Sequence, residues 1–376
     1  MALSRAAKRV VFPVVILAVS VCACLVLAEL GLAWHEYPPI PVSGWTSEQS
    51  YPSRGAELNQ LRYRGQRIAY SDDELVVVLL GDSQAEAVSC AFEAMPEKRL
   101  QVHLRKLTRR NIRVFTLASG GYGQDQEWLA LQRYYQQYRA DLVVLWETHF
   151  NDVWNNVFPT NWPKDGTPKP TFWLEDGVLR GPTEGLGQPV ARFRLEMLLK
   201  QSLHYSRDEA WDRFLPPAYE PLQNPPTSYS TVWETALAPE ENLENEKSHY
   251  AVLLTPRSPR LQYGLDLTRR LLFEIRDSVV AHKGRLVCFQ TGNGGTPFRT
   301  FKTPEGEFFR VKGKFYRASL TQYFDNIRYV NKDLEFVYIP IERTDWAVSP
   351  TDPHLNASAV DDVMKYLADW LSSHLP

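Results

Sequence analysis

The chain has 376 residues, with 42 Lys and Arg against 44 Asp and Glu and a formal charge of -2. That length can bury a full core, as one large domain with insertions or as two ordinary ones, and the near balance of charge gives no electrostatic footprint for nucleic acid. Aromatic residues make up 12% of the chain, with 11 Trp and 18 Tyr, a content that suits sugar-stacking surfaces but is read first as core.

Residues 1–9 carry Arg5, Lys8 and Arg9 ahead of an uncharged run from Val10 to Ala28, in which Ser20 is the plainly polar residue. A helix of about 20 apolar residues crosses a bilayer, so 10–33 is read as a transmembrane anchor or a signal peptide. The basic flank keeps the start cytoplasmic and sends the rest to the periplasmic, extracytoplasmic side of the inner membrane. Val26 and Ala28 before Glu29 offer a small-residue cleavage site. Apolar residues continue through Leu30, Leu32 and Trp34, which favours an uncleaved single-pass anchor. Cys22 and Cys24 lie inside this segment, outside any lipoprotein site. Cys90, placed in a helix after Ser83, and the distant Cys288 are read as two buried thiols.

Residues 34–70, with Pro38, Pro39, Pro41 and Pro52, show little periodicity and read as a spacer before a domain over 71–376. From there short apolar runs alternate with longer amphipathic ones. Strands are expected at 75–80, 112–117, 141–146, 285–290 and 334–339, and helices at 94–109, 124–138, 263–282 and 357–373. In the last helix Val360, Val363, Met364, Leu367 and Leu371 repeat at helical spacing. Near-continuous apolar strands separated by helices predict a mostly parallel five-stranded sheet covered on both faces, a three-layer α/β/α sandwich. The alternation breaks over about 155–262, which holds "KPTFWLEDGVLRG", a proline-rich piece and "PEENLENEK". This insertion reads as a lid or substrate-binding element, with Trp162, Phe172 and Trp173 as aromatic contacts.

Four expected strand ends carry chemistry. Gly81-Asp82-Ser83 follows the first, "ASGGYGQ" the second, "HFND" the third and "TDPHLN" the fifth. A serine hydroxyl becomes a nucleophile when a histidine takes its proton and a carboxylate fixes that imidazole. Separate donors must meet the oxyanion of the tetrahedral intermediate. Ser83 is therefore assigned as nucleophile, His354 as general base and Asp352 as its orienting acid. The amides of Ser83 and Gly121, with the Asn151 side chain, form the expected oxyanion hole.

These four blocks, in this order, resemble those of the SGNH, or GDSL-type, serine hydrolases, in which the matching positions are nucleophile, oxyanion donors, acid and base. The resemblance runs over about 70–354 and implies that fold and an acyl-serine intermediate. "SGGYGQDQEW", "KPTFWLEDG", the anchored topology and the two-residue step from Asp352 to His354 are similar to the membrane-anchored bacterial branch that includes the alginate O-acetyltransferases. Three departures stand out. Thr351 occupies the place three residues before the histidine where many members carry the acid. Ala87 replaces a frequent glycine, and "HFND" lacks the glycine often found before the asparagine.

The function this implies is serine-dependent hydrolysis of an acyl ester, acting on O-acetyl groups of a carbohydrate. Two alternatives stay open. If a sugar hydroxyl rather than water resolves the acyl-enzyme, the chain is an O-acetyltransferase for an exported polysaccharide, served by an integral-membrane acyltransferase. If the fold is silent, it is a polysaccharide-binding or assembly protein. No cofactor or metal is called for: His149, His204 and His282 show no ligand spacing, although His149 lies near enough to Asn151 to touch substrate. "TGNGGT" lacks the lysine of a phosphate loop and reads as a flexible turn. Asn356 reads as the cap of the last helix.

Overall fold

Five runs rich in Val, Leu, Ile and Phe are too short for stable helices and too apolar for a surface, so they pair with one another. In the computed structural model, which describes residues 5–34, 58–158, 169–182, 193–195, 198, 219–222, 224, 241–293, 300–341, 343–349 and 352–374, they become β1 (Leu75–Gly81), β2 (Ile112–Ala118), β3 (Leu142–Glu147), β6 (Arg285–Asn293) and β10 (Phe336–Ile341). Their spatial order is β10-β6-β3-β1-β2, and every adjacent pair is parallel. The α/β fold expected from the sequence is the one observed.

Strand alternation sends successive side chains to opposite faces. Val76, Val78 and Leu80 of β1 enter one core, while Val77 and Leu79 enter the other. The first face is covered by α4 (Gln124–Tyr135), α5 (His149–Val157) and α6 (Pro259–Ala281). The second is covered by α3 (Pro96–Thr108) and α8 (Ala357–Ser372), which pack on each other. Asn356 caps α8 as expected, its Oδ1 accepting from the Ala359 amide at 3.0 Å.

After β1 the chain moves to β2 on one side and then to β3 on the other. The carboxyl ends of β1 and β3 therefore lie at the switch point of the sheet, where open α/β proteins leave room for a ligand. Gly81-Asp82-Ser83 and the start of α5 meet there.

Four parts of the architecture differ from the sequence reading. Leu61, Tyr63 and Ile68, within the stretch read as spacer, are buried in the first core. Cys90 lies in a turn beyond the short helix α2 (Ser83–Glu86), not in a helix; it and Cys288 are buried free thiols. Residues 291–293 of "TGNGGT" continue β6 instead of turning. Between β6 and β10 the chain also builds an antiparallel sheet of β7 (Phe301–Thr303), β8 (Gly306–Val311) and β9 (Lys314–Ala318), then α7 (Leu320–Val330).

Within the insertion, β4 (Trp173–Glu175) and β5 (Val178–Arg180) form a hairpin, and Ala251 to Leu254 are core residues. Trp162, His204 and Thr351 lie outside the described residues. At the amino end, Arg5–Trp34 is one helix, α1. Its span Val11–Trp34 has mean hydropathy 2.9 and none of it is buried in the protein, so it is long and apolar enough to cross a membrane.

Candidate active site

Asp82 follows β1 and caps α2, its Oδ1 accepting from the Gln84 amide at 2.9 Å, which starts the helix at Ser83. The chain leaves α2 through Ala87, whose φ of +46° lies in the left-handed region that favours glycine. Arg64, from the stretch ahead of β1, reaches over to this exit. Its guanidinium donates to the carbonyls of Glu86, Ala87 and Cys90 at 2.9, 2.6 and 2.7 Å. Ser83 is thus held on a four-residue helix fixed at both ends. The frequent glycine absent at position 87 would relax this turn: Ala87→Gly is expected to leave activity intact and shift stability upward by about 0.5–1 kcal/mol, read as the unfolding midpoint.

Asp352 and His354 sit on β12 (Asp352–Leu355), which pairs with β11 (Ala347–Ser349) just before α8. The Nδ1 of His354 lies 2.5 Å from Asp352 Oδ1, and its backbone amide donates to the same oxygen at 3.1 Å. Burial opposes the charge on Asp352, but these bonds outweigh it and hold the carboxyl below its ordinary value. A charged carboxylate at Nδ1 places the imidazole proton there and leaves Nε2 as the basic atom. The next residue, Leu355, donates its amide to Gln84 Oε1 at 3.2 Å. The strand carrying His354 is thereby tied to the residue following Ser83.

Of the two consecutive glycines after β2, Gly120 has its amide engaged by Glu86 Oε2 at 2.7 Å. A Cβ placed on Gly120 would lie 3.8 Å from that of Ser83, so this loop borders the serine. Gly121 has φ +79°, a conformation that suits glycine, and its carbonyl accepts from Asn155 Nδ2 at 3.1 Å. No partner for its amide occurs among the described residues.

Asn151, in the first turn of α5, donates Nδ2 to Asp82 Oδ2 at 2.9 Å. Asp82 also accepts from Thr148 Oγ1 at 3.1 Å. Burial pushes the Asp82 carboxyl up, against these bonds, the Gln84 amide and the nearby charge of His354. The sequence reading gave Asp82 no role of its own within the Gly81-Asp82-Ser83 block. In the structure it joins the Ser83 helix to Asn151, and the Asp-Ser adjacency after a buried strand was the available signal.

A second layer of acids lies below. Asp152 accepts from the Thr148 amide and from Gln124 Nε2. Glu127 is fully buried, its carboxyl raised well above its ordinary value by burial and by Asp152, Asp82, Glu147 and Asp125. Lys169 pairs with Asp125 in the same interior. His149 is fully buried with its ring edge toward Tyr323, and burial holds its imidazole down at about 3, so it is a neutral core residue. Phe172 is buried against Trp128 and Trp173 is exposed on the β4–β5 hairpin. Among the described residues there is no cluster of His, Cys, Asp or Glu arranged to hold a metal ion.

Burial also sets the pH response. Glu97 and Glu147 are each pushed up to about 7 from 4.5. The folded chain keeps these protons where the unfolded chain releases them. Stability is therefore expected to fall as pH rises from about 4.5 to about 7 and to level off above. For one such group the loss is on the order of 3 kcal/mol. Thermal unfolding of the whole chain in detergent between pH 5 and 8 checks this, and Glu147→Gln should flatten the slope.

No protein-family model matches the chain, and no curated protein matches it. Among solved structures it is similar to a lipase from a goat rumen metagenome, at 10% identity and a TM-score of 0.37, over 78% of this chain and 96% of that one. It is also similar to an acetyl xylan esterase from the rumen bacterium Butyrivibrio proteoclasticus, at 11% identity and a TM-score of 0.33, over 82% of this chain and 66% of that one. Function has therefore to be read from the chain's own residues.

Proposed function

We propose that the chain is a serine-dependent acyl-ester hydrolase of the SGNH type, acting on O-acetyl groups of a carbohydrate. The observation that carries this is the tie between Gln84 and Leu355, residues 271 apart, which brings the Ser83 block and the Asp352–His354 pair to one sheet edge.

In this reading Ser83 Oγ attacks the ester carbonyl carbon while its proton passes to His354 Nε2. Asp352 stabilises the imidazolium through Nδ1. The oxyanion is met by the amides of Ser83 and Gly121 and by the second N–H of the Asn151 amide, whose first is held by Asp82. Collapse breaks the C–O bond to the sugar, and the leaving oxygen takes the proton from His354. Water then attacks the acyl-serine, again through His354, releasing acetate and restoring the hydroxyl.

The apolar helix α1 supports a second outcome for the same intermediate. Anchored on the extracytoplasmic face of the inner membrane, the domain stands where an integral-membrane acyltransferase would deliver acyl groups, and a sugar hydroxyl in place of water makes it an O-acetyltransferase. Mass spectrometry of the full chain in detergent, quenched during turnover of a chromogenic acetyl ester, tests both. One acetyl group on the Ser83 peptide is expected. Acetate appearing on an added bare oligosaccharide selects transfer over hydrolysis, and no modification of that peptide rejects the acyl-serine mechanism.

A further inference from the structure

A cavity of about 120 Å³ opens beside the Ser83 helix. Its rim includes Gln84, which follows Ser83, Thr148, which holds Asp82, and Pro353 and Leu355, the neighbours of His354. Any group seated there is next to the reacting ester.

The walls are aromatic: Phe150, Phe324, Tyr338 and Trp346. Tyr338 reaches across the end of β6 because residue 292 is glycine. A Cβ there would fall 1.3 Å from the Tyr338 hydroxyl oxygen. The "TGNGGT" glycine that resembled a loose turn in the sequence is instead the seat of one wall.

The lining is not uniformly apolar. Gln290 lines the cavity and is only 5% exposed. Its Nε2 donates to the Tyr323 hydroxyl at 3.0 Å, while its Oε1 has no partner among the described residues. A buried acceptor left unmatched is costly, so the site calls for a donor from the ligand. An alkyl acyl chain would fill the space and leave that oxygen unmatched. A sugar ring presents C–H faces to aromatic walls and hydroxyl donors at its edge.

The geometry points to this cavity as a subsite for one pyranose ring of the acyl-bearing carbohydrate, its hydroxyl donating to Gln290 and its C–H face against Tyr338 and Trp346. This rests on the reading of Ser83 as nucleophile and adds to it the part of the substrate that is recognised. The volume is near that of a cavity that holds benzene, about 150 Å³, so the cavity takes the inner part of a single ring and the remaining glycan lies outside.

The test uses the full chain in detergent with three esters: mono-O-acetylated methyl glucopyranoside, 4-nitrophenyl acetate and 4-nitrophenyl hexanoate. Tyr338→Ala, in an exposed wall, and Gln290→Leu, in the floor, are each expected to lower kcat/KM on the sugar acetate by about tenfold, the size of one lost hydrogen bond or stacking contact. Turnover of 4-nitrophenyl acetate should stay within about twofold, because neither group touches the reacting atoms. Equal losses on sugar and nitrophenyl acetates, or a change confined to the hexanoate-to-acetate ratio, would overturn the subsite, the latter in favour of an acyl pocket. Calorimetric titration of Ser83→Ala with methyl gluco-, galacto- and mannopyranoside separates the two readings. Sugar binding that Tyr338→Ala abolishes, together with no turnover of any ester by the chain with Ser83 intact, would keep the subsite and reject the nucleophile. No heat with any of the three sugars would reject the subsite whatever the catalysis.

Discussion

Replacement of Ser83 by alanine is expected to lower kcat on an acetyl ester by about 10⁴-fold or more while leaving the thermal midpoint unchanged. The helix that carries the residue does not depend on its hydroxyl. Asp82 supplies the cap, Arg64 holds the exit and Gln84 accepts from Leu355. The loss should therefore appear in catalysis alone. His354→Ala should cost a similar factor, and the double variant no more than either, because the two residues move one proton as a unit. Rates of chromogenic acetate release, with circular dichroism on the same samples, decide the matter. An active Ser83→Ala chain would remove the acyl-serine mechanism outright.

Replacement of Asp82 is expected to act on both stability and rate. Its carboxylate accepts from the Gln84 amide, Asn151 Nδ2 and Thr148 Oγ1, and it is 1% exposed. Alanine would remove a helix cap and strand two donors, the buried Asn151 amide and the half-buried Thr148 hydroxyl, a loss of about 2–4 kcal/mol. It would also release the Asn151 amide, and loss of one oxyanion donor typically lowers kcat by about 10²–10³-fold. Asp82→Asn separates the effects. Its amide oxygen can still accept from Gln84 and Thr148, but its NH₂ then faces the donor of Asn151, so stability should recover more than kcat does. Equal recovery of both would show that Asp82 serves the fold and does not aim Asn151.

The central strands were readable because they are buried on both faces. Val76 to Leu80 and Val143 to Trp146 form uninterrupted apolar runs, and their observed ends lie within about two residues of the expected ones. The final helix was equally plain from Val360, Val363, Met364 and Leu367. The β7–β9 sheet was missed although its turns are marked, by "TPEG" and by "KG". Its strands mix Phe with Lys, Arg and Glu, a pattern that alternation describes but mean apolarity does not. Of the expected site, the Asp352–His354 pair was legible because two residues apart on a strand is a local relation. The grip of Arg64 on three carbonyls was not, since an arginine among polar residues gives no sign of a target more than twenty positions away. Asp82 was in view and underread, its type being common in turns for reasons unrelated to catalysis.

The placement of Arg64 bears on where the catalytic unit begins. A fragment cut at residue 71, where the periodic pattern starts, would keep Ser83, Gly121, Asn151, Asp352 and His354. It would lose the guanidinium that closes the exit of the Ser83 helix, along with Leu61, Tyr63 and Ile68 from the core. Such a fragment would hold the full set of reacting groups on an unfastened turn. From Leu58 onward the stretch ahead of β1 is thus a buckle on the Ser83 turn, and on the proposed reading the smallest fragment that can act has to include it.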